Sequence, residues 1–480
     1  MIGISKEKLI HLIIGPLLFV CCCLFVPETV FATLKERAAV GTVAWMAYWW
    51  VTRPLDLAVT AFLPVAVNAF IEMTSMSSLI ANYSSETIVL LFGSSILAVS
   101  MEKTGLDKRI AAKFLGVIGE NLRLQLIFWY VLSTLLSAVL PNAVVCATIT
   151  PICVAMLKFA GEGDIKNSRI GSKLLLYIAY GVGVGGLFSP LGGAMNLVTV
   201  DYLQQITGNE FMYIQWVIRF LPLMLVLIVS NILFMLRDVK KTDALPGSRE
   251  YFREQYRQMS KWSKEEILSL MLFLTATVLS FTRDLYKDFL PGLKPAYVFT
   301  VCGILAFLVA NKQHEFVMKW KEIQGKLVWE LIFVFAGGLA AGALIKGSGV
   351  ADAIGTMVSS MGLTGGILMV LVIVTFTLLL SDVTSNTATA SVAIPIVIAV
   401  AQGLKLDPIP WVYIATIGVN LSYTLPTSIR AIPVGYGLEP RYMLKEGWKM
   451  SVIVIILMTA VAYLLLECWP AFSTTTGPIF

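Results

Sequence analysis

The sequence predicts an all-α polytopic membrane protein built from two inverted-topology repeats, with about 11 transmembrane spans and two re-entrant helical hairpins. Three observations predict it. The 480 residues are 57% hydrophobic and 14% charged, with a mean hydropathy of +0.81, whereas soluble domains carry about 25% charged residues. A polar motif set among apolar residues occurs twice at one spacing. Basic residues also divide unequally between the two sides that the apolar runs define.

The elements follow in order. Lys6 and Lys8, an apolar core and Val30-Phe-Ala32 imitate a signal peptide, but the core over Leu9–Pro27 is long enough to span, so we read a retained first helix. Residues 38–70 form two segments meeting at Arg53-Pro54, because the residue before a proline disfavours helix. A span at 86–101 leads to an interfacial amphipathic helix at 106–117, with a second such piece at 348–360. Residues 124–157 and 364–403 are apolar runs interrupted at polar tips, which we read as hairpins entering and leaving on one side. Residues 172–203 and 409–436 are spans broken by Gly/Pro-rich stretches. Ordinary spans are expected at 214–236, 266–282, 296–311, 327–345 and 450–468.

The expected division is N-terminal scaffold helices over 1–85, a first repeat over 86–236, a basic cytoplasmic loop over 237–265, scaffold spans over 266–326, a second repeat over 327–468 and a tail over 469–480. Of the 36 Lys and Arg, 27 fall on the side of the N-terminus, 8 on the other and Arg430 within the membrane. That bias places the N-terminus in the cytoplasm, in a cell (inner) membrane. It also accounts for the net charge of +6 without a nucleic-acid partner.

The repeated motif is the strongest signal. Ser381-Asp-Val-Thr-Ser-Asn-Thr-Ala-Thr-Ala-Ser-Val-Ala-Ile-Pro-Ile396 holds six hydroxyl residues, an amide and a carboxylate between apolar runs. Ser137-Ala-Val-Leu-Pro-Asn-Ala-Val-Val-Cys-Ala-Thr-Ile-Thr-Pro-Ile152 matches it 244 residues earlier. The same offset aligns Thr104-Gly-Leu-Asp107 with Ser348-Gly-Val-Ala351. Since the first hairpin opens from the cytoplasm and the second from outside, the repeats are inverted.

A helix that begins at a hairpin tip presents free N–H groups and a partial positive charge, which suit an anion. A helix that ends there presents free carbonyls, which suit a small cation such as sodium. Ser385, Asn386 and Thr387 are therefore suited to a carboxylate or sulfate, and Ser381 and Thr384 to a cation. Asn142 and Ser137 are their counterparts, and Gly192 and Gly193 allow close backbone approach. Asn196 either holds the unwound loop or touches substrate. Arg430 either clamps a carboxylate or neutralises Asp382. With two histidines, no Cys/His metal spacing and Asp382 as the one intramembrane acid with no histidine nearby, an intramembrane enzyme is disfavoured and no organic cofactor is implied.

These stretches resemble the divalent anion–sodium symporter family. The resemblance rests on Trp49-Trp-Val-Thr-Arg-Pro-Leu-Asp56 with Thr60 and Pro64, on Met101-Glu-Lys-Thr-Gly-Leu-Asp-Lys-Arg-Ile-Ala111, and on Ser385-Asn-Thr387. It implies an elevator-type homodimer that takes up C4-dicarboxylates, citrate or sulfate, usually with sodium. By that resemblance Ser385, Asn386, Thr387, Asn142 and Gly193 bind substrate. Ser381 with Asn386, and Ser137 with Asn142 and the Gly192 backbone, form two sodium sites. The chain departs from the family at Pro141-Asn142-Ala143, Gly193-Ala-Met-Asn196 and Ile429-Arg-Ala-Ile432, where hydroxyls are lost and an arginine is gained. The expected function is secondary transport of a divalent anion, most simply a C4-dicarboxylate, coupled to sodium. The alternatives are sodium-independent exchange, sulfate or citrate transport, or anion efflux.

Overall fold

The computed structural model describes residues 5–106, 109, 119–258, 261–311, 313–350, 352, 353, 357 and 365–476. Among them the regular elements are helical, with isolated bridges at Asn121–Ala244 and Ala310–Phe316. A helix satisfies its own backbone polar groups, which hydrocarbon cannot. Seven of the described helices are long and apolar enough to cross a membrane, and four shorter apolar ones accompany them. The amphipathic pieces expected at 106–117 and 348–360 lie largely outside the described residues.

Helix α1 (Lys6–Phe25) is capped by Ser5, whose Oγ accepts from the Lys8 amide at 3.3 Å. Its Ile10, Ile13, Leu17 and Leu24 are exposed along one stripe, as expected of a lipid-facing helix. Helix α2 (Leu34–Thr52) starts at a Thr33/Glu36 capping box and stops at Arg53, which takes the left-handed conformation at φ 48° ahead of Pro54. The expected break is there, but the chain breaks again near Ala61. A short turn, Leu57–Thr60, is followed by α3 (Leu63–Phe70). Helix α4 (Glu86–Thr104) then ends on Gly105 at φ 76°.

Two helical pairs follow the expected hairpins. The first is α5 (Leu122–Ser137) and α6 (Asn142–Phe159). Helix α7 (Arg169–Gly186), a turn at Pro190–Gly192 and α8 (Ala194–Thr207) form the first broken span. Helices α5 and α7 pack so closely that a Cβ at Gly185 would collide with the Thr134 backbone. Helix α9 (Tyr213–Leu236) comes next.

The basic loop contains a helix the sequence reading did not anticipate, α10 (Ser248–Gln258). Its charges hide an apolar edge. Phe252 is buried and meets Trp129 of α5, and Tyr251 meets Phe159 of α6. The loop is also tied to the base of the first hairpin by Leu122 N to Asp243 O at 2.9 Å and Leu245 N to Glu120 O at 2.7 Å.

Helices α11 (Lys264–Phe281), α12 (Pro295–Ala306) and α13 (Trp329–Ser348) lead to the second pair, α14 (Ile367–Val383) and α15 (Asn386–Gly403). The second broken span is α16 (Pro408–Asn420), a turn at Ser428–Arg430 and a short helix over Ala431–Gly435. Here a Cβ at Gly418 would meet Val374 O and Thr377 of α14, matching the tight α5–α7 contact. The last helix, α17 (Pro440–Cys468), starts well before the expected 450. Its first turns are charged, which disguised them; Glu446 there pairs with Arg237.

Candidate functional site

Each hairpin tip forms because one helix stops and another starts within a few residues. At the first tip Pro141 sits at the N-cap of α6, where its missing N–H costs nothing. Ser137 Oγ, at the end of α5, lies 2.6 Å from Asn142 Oδ1 and 2.9 Å from the Val182 carbonyl of α7. One hydroxyl proton serves two acceptors, so three oxygens converge with a surplus of lone pairs. Gly192 adds backbone to this cluster: a Cβ there would lie 2.8 Å from Ser137 O, so only glycine permits the approach.

At the second tip Ser381 Oγ lies 2.7 Å from the Val419 carbonyl of α16 and 3.2 Å from Ser422 Oγ. Ser422 Oγ donates to Asn386 Oδ1 at 3.4 Å, and Asn386 Nδ2 donates to Asn420 O at 3.2 Å. The two clusters use the same parts: a serine ending the first arm, an asparagine opening the second, and a carbonyl near the break of the adjacent span. Such oxygen sets suit a hard monovalent cation, so the residues present fit sodium.

Four of the expected site residues share one cavity of about 170 Å³: Asn142, Gly193, Asn386 and Thr387. Gly193, extended at φ −168°, forms the N-cap of α8 beside Asn142. The N-termini of α6, α8 and α15 therefore all reach this cavity, and their free N–H groups favour an anion.

Other expected residues stand elsewhere. Ser385 is the N-cap of α15, its Oγ accepting from Ala388 N at 3.1 Å, and it is not a wall of the cavity. Thr384 Oγ1 is engaged by Leu380 O at 2.9 Å and Thr389 Oγ1 at 2.6 Å, away from the Ser381 oxygens. Asn196 holds the unwound loop: its Nδ2 donates to Gly186 O at 2.5 Å and Ser189 O at 2.8 Å. Its Oδ1 accepts from Asn420 Nδ2 at 2.8 Å, linking the two broken spans. Of the two readings of Asn196, the loop-holding one fits this geometry.

Arg430 is 1% exposed and absent from the cavity walls, although Ser428 and Ile429 just before it line them. Its Nε and Nη1 are buried without hydrogen-bond partners. Asp382 Oδ1 accepts the Tyr423 and Thr424 amides at 2.7 and 3.0 Å, while its Oδ2 has no partner. Among the described residues the two form no ion pair. In this structure, then, Arg430 neither lines the cavity nor makes a close ion pair with Asp382. Asp382 instead shapes the 421–427 loop, because a carboxylate accepting backbone amides fixes the turn.

Sequence reading missed Asn420, Ser422 and Ser428. Asn420 and Ser422 follow the apolar run Trp411–Val419, and that change from apolar to polar was the available signal. Ser428 takes the left-handed conformation at φ 51°, which no sequence feature announced.

Against known proteins, residues 47–418 match the family model described as citrate transporter (CitMHS). The chain belongs to the citrate transporter family. This family member is therefore a membrane transport protein and not an enzyme. It is 28% identical over 476 residues to the sodium-dependent dicarboxylate transporter SdcS of Staphylococcus saprophyticus, covering 95% of this chain and 91% of that protein. The protein of the same name from Staphylococcus aureus is 28% identical over 477 residues, with 96% and 91% covered. Among solved structures, the Alcanivorax borkumensis YdaH transporter aligns with a TM-score of 0.51 at 14% identity, covering 82% of this chain and 88% of that one. That likeness concerns the fold alone.

Proposed function

We propose that this citrate transporter family member moves a small divalent anion, most simply a C4-dicarboxylate, across the membrane together with sodium. The observation that carries the reading is the meeting of both hairpin tips, through Asn142, Asn386 and Thr387, in one cavity, with an oxygen cluster beside each tip. The anion sits between the tips on helix N-termini, and sodium ions occupy the Ser137/Asn142/Gly192 and Ser381/Asn386 clusters. Bound cations raise affinity for the anion because opposite charges in a low-dielectric site attract strongly. The SdcS relatives, named as sodium-dependent dicarboxylate transporters, support both substrate class and coupling ion.

In this reading residues 86–236 and 327–468 are inverted repeats. Hairpins 124–157 and 364–403, with broken spans 172–203 and 409–436, move as one unit against a scaffold in an elevator cycle. The N-terminus is cytoplasmic and the protein works as a homodimer in the cell membrane. Purified protein in liposomes, given radiolabelled succinate, malate, citrate or sulfate with and without a sodium gradient, tests it. Sodium-stimulated succinate uptake is expected; no uptake of any anion, even against internal counter-anion, overturns it. The buried charge of Arg430 favours one second reading, sodium-independent exchange, which the same vesicles distinguish by succinate/succinate counterflow without sodium.

A further inference from the structure

The cavity between the hairpin tips carries one opposite-charge pair on its walls. Glu102, in the last turn of α4, and Lys326, three residues before α13, both line it. Lys326 Nζ donates to Glu102 Oε1 at 2.5 Å, and the two side chains are 42% and 51% exposed. Neither residue belongs to a hairpin or a broken span. On the same face of α4, Ser94, Ser95 and Ala98 also line the cavity, so a partly polar track runs along the helix to Glu102.

Water screens a pair this exposed, so it binds weakly. A second pair, Lys103 with Glu322 at 2.8 Å, joins the same two chain segments, and its ammonium holds the Glu322 carboxyl below its usual range. The segments therefore stay together if Lys326 exchanges its partner. A divalent anion presents two carboxylates. The hairpin tips offer N–H groups and amides to the cavity, and Lys326 is the full positive charge on its described walls.

We propose that Lys326 binds the second carboxylate of the transported anion at the Glu102 end of the cavity, and that Glu102 occupies Lys326 when the anion is absent. This rests on the anion-transport reading and adds a residue to it. The exchange replaces one carboxylate on Lys326 by another, so no unpaired charge arises on the ammonium. Because Lys326 lies outside the hairpins, the contact exists only while the tips face the Glu102 end. It therefore tunes affinity on one face of the membrane, the one that the distribution of basic residues assigns to the cytoplasm.

The test uses the full chain in uniformly oriented liposomes, with the KM for radiolabelled succinate measured from each face for K326Q and E102Q. K326Q should raise KM at the Glu102 face by about tenfold, several times more than at the opposite face, as loss of a charge-assisted contact does. E102Q should lower KM at that same face, because Lys326 no longer has a competing partner. In detergent, stabilisation against heat by succinate should shrink in K326Q, grow in E102Q and persist in K326R. Shifts in the same direction for both variants, or equal shifts at both faces, would mean that the pair is only a strap, and they overturn the proposal while leaving anion transport standing. A wild-type protein that carries no anion fails the transport reading itself, and this inference with it.

Discussion

The two hairpin tips are built to one plan but secured differently. In the first, Ser137 bonds within its own hairpin to Asn142 and once outward to Val182. In the second, Ser381 and Asn386 both reach outward, to Val419, Asn420 and Ser422 at the break of α16. The first cluster is thus largely preset by its hairpin, whereas the second exists only while α14, α15 and the α16 break stay in register. The extra hydroxyls of the second tip do not all add recognition. Ser385 caps α15, Thr384 bonds to Thr389, and Ser391 donates to Thr387 O at 2.9 Å. The count of hydroxyls overstated the chemical difference, and the direction of the bonds is the larger one.

The largest expected effect is from Asn386→Ala. It removes a cavity wall and the two links of Asn386 itself to the α16 break, so succinate uptake should fall by about a hundredfold or more with expression unchanged. Asn142→Ala should cost less, because its tip keeps the Pro141 turn. Equal losses would argue that the tips are equivalent.

Next are the two serines. Ser137→Ala and Ser381→Ala should each raise the sodium concentration for half-maximal uptake by about three- to tenfold, while KM for succinate at saturating sodium moves little. Ser381→Ala should also lower thermal stability more, since it removes two contacts to the next element where Ser137→Ala removes one; a larger stability loss from Ser137→Ala would break the comparison.

If Arg430, buried next to the wall residue Ile429, acts on the site through its field, its effect should scale with ligand charge. Arg430→Ala is expected to weaken a divalent anion by about tenfold and a monovalent analogue by about threefold, because Coulomb energy is linear in charge. Equal weakening of the two would instead mean a packing role.

The smallest effect is at Ser385. Ser385→Ala removes an N-cap and should lower stability by about 1 kcal/mol, read as a lower melting temperature, with KM within about twofold of wild type. A large KM change would return Ser385 to the binding site.

Much of this was legible along the chain. Apolar runs marked membrane helices, because hydrocarbon admits long apolar segments that satisfy their own backbones. A fixed offset paired Ser137 with Ser381 and Asn142 with Asn386, and the polar interruptions marked where the apolar runs break. Helix α10 was not legible, because Phe252 and Tyr251 sit among charges and gain meaning only against Trp129 and Phe159. The early start of α17 was hidden for the same reason, since its first turns are polar and find partners such as Arg237.

Local sequence, then, determined where helices break, because proline, glycine and capping side chains act on their immediate neighbours. It also determined which residue types stand at the breaks. Only the tertiary structure decided which of them share a cavity. Thr387 and Ser385 are two residues apart, yet one lines the cavity and the other caps a helix. Arg430 is adjacent to the wall residue Ile429, yet it is buried and is not a wall itself. Side-chain direction depends on how whole helices pack, and that is a property of contacts distant in sequence.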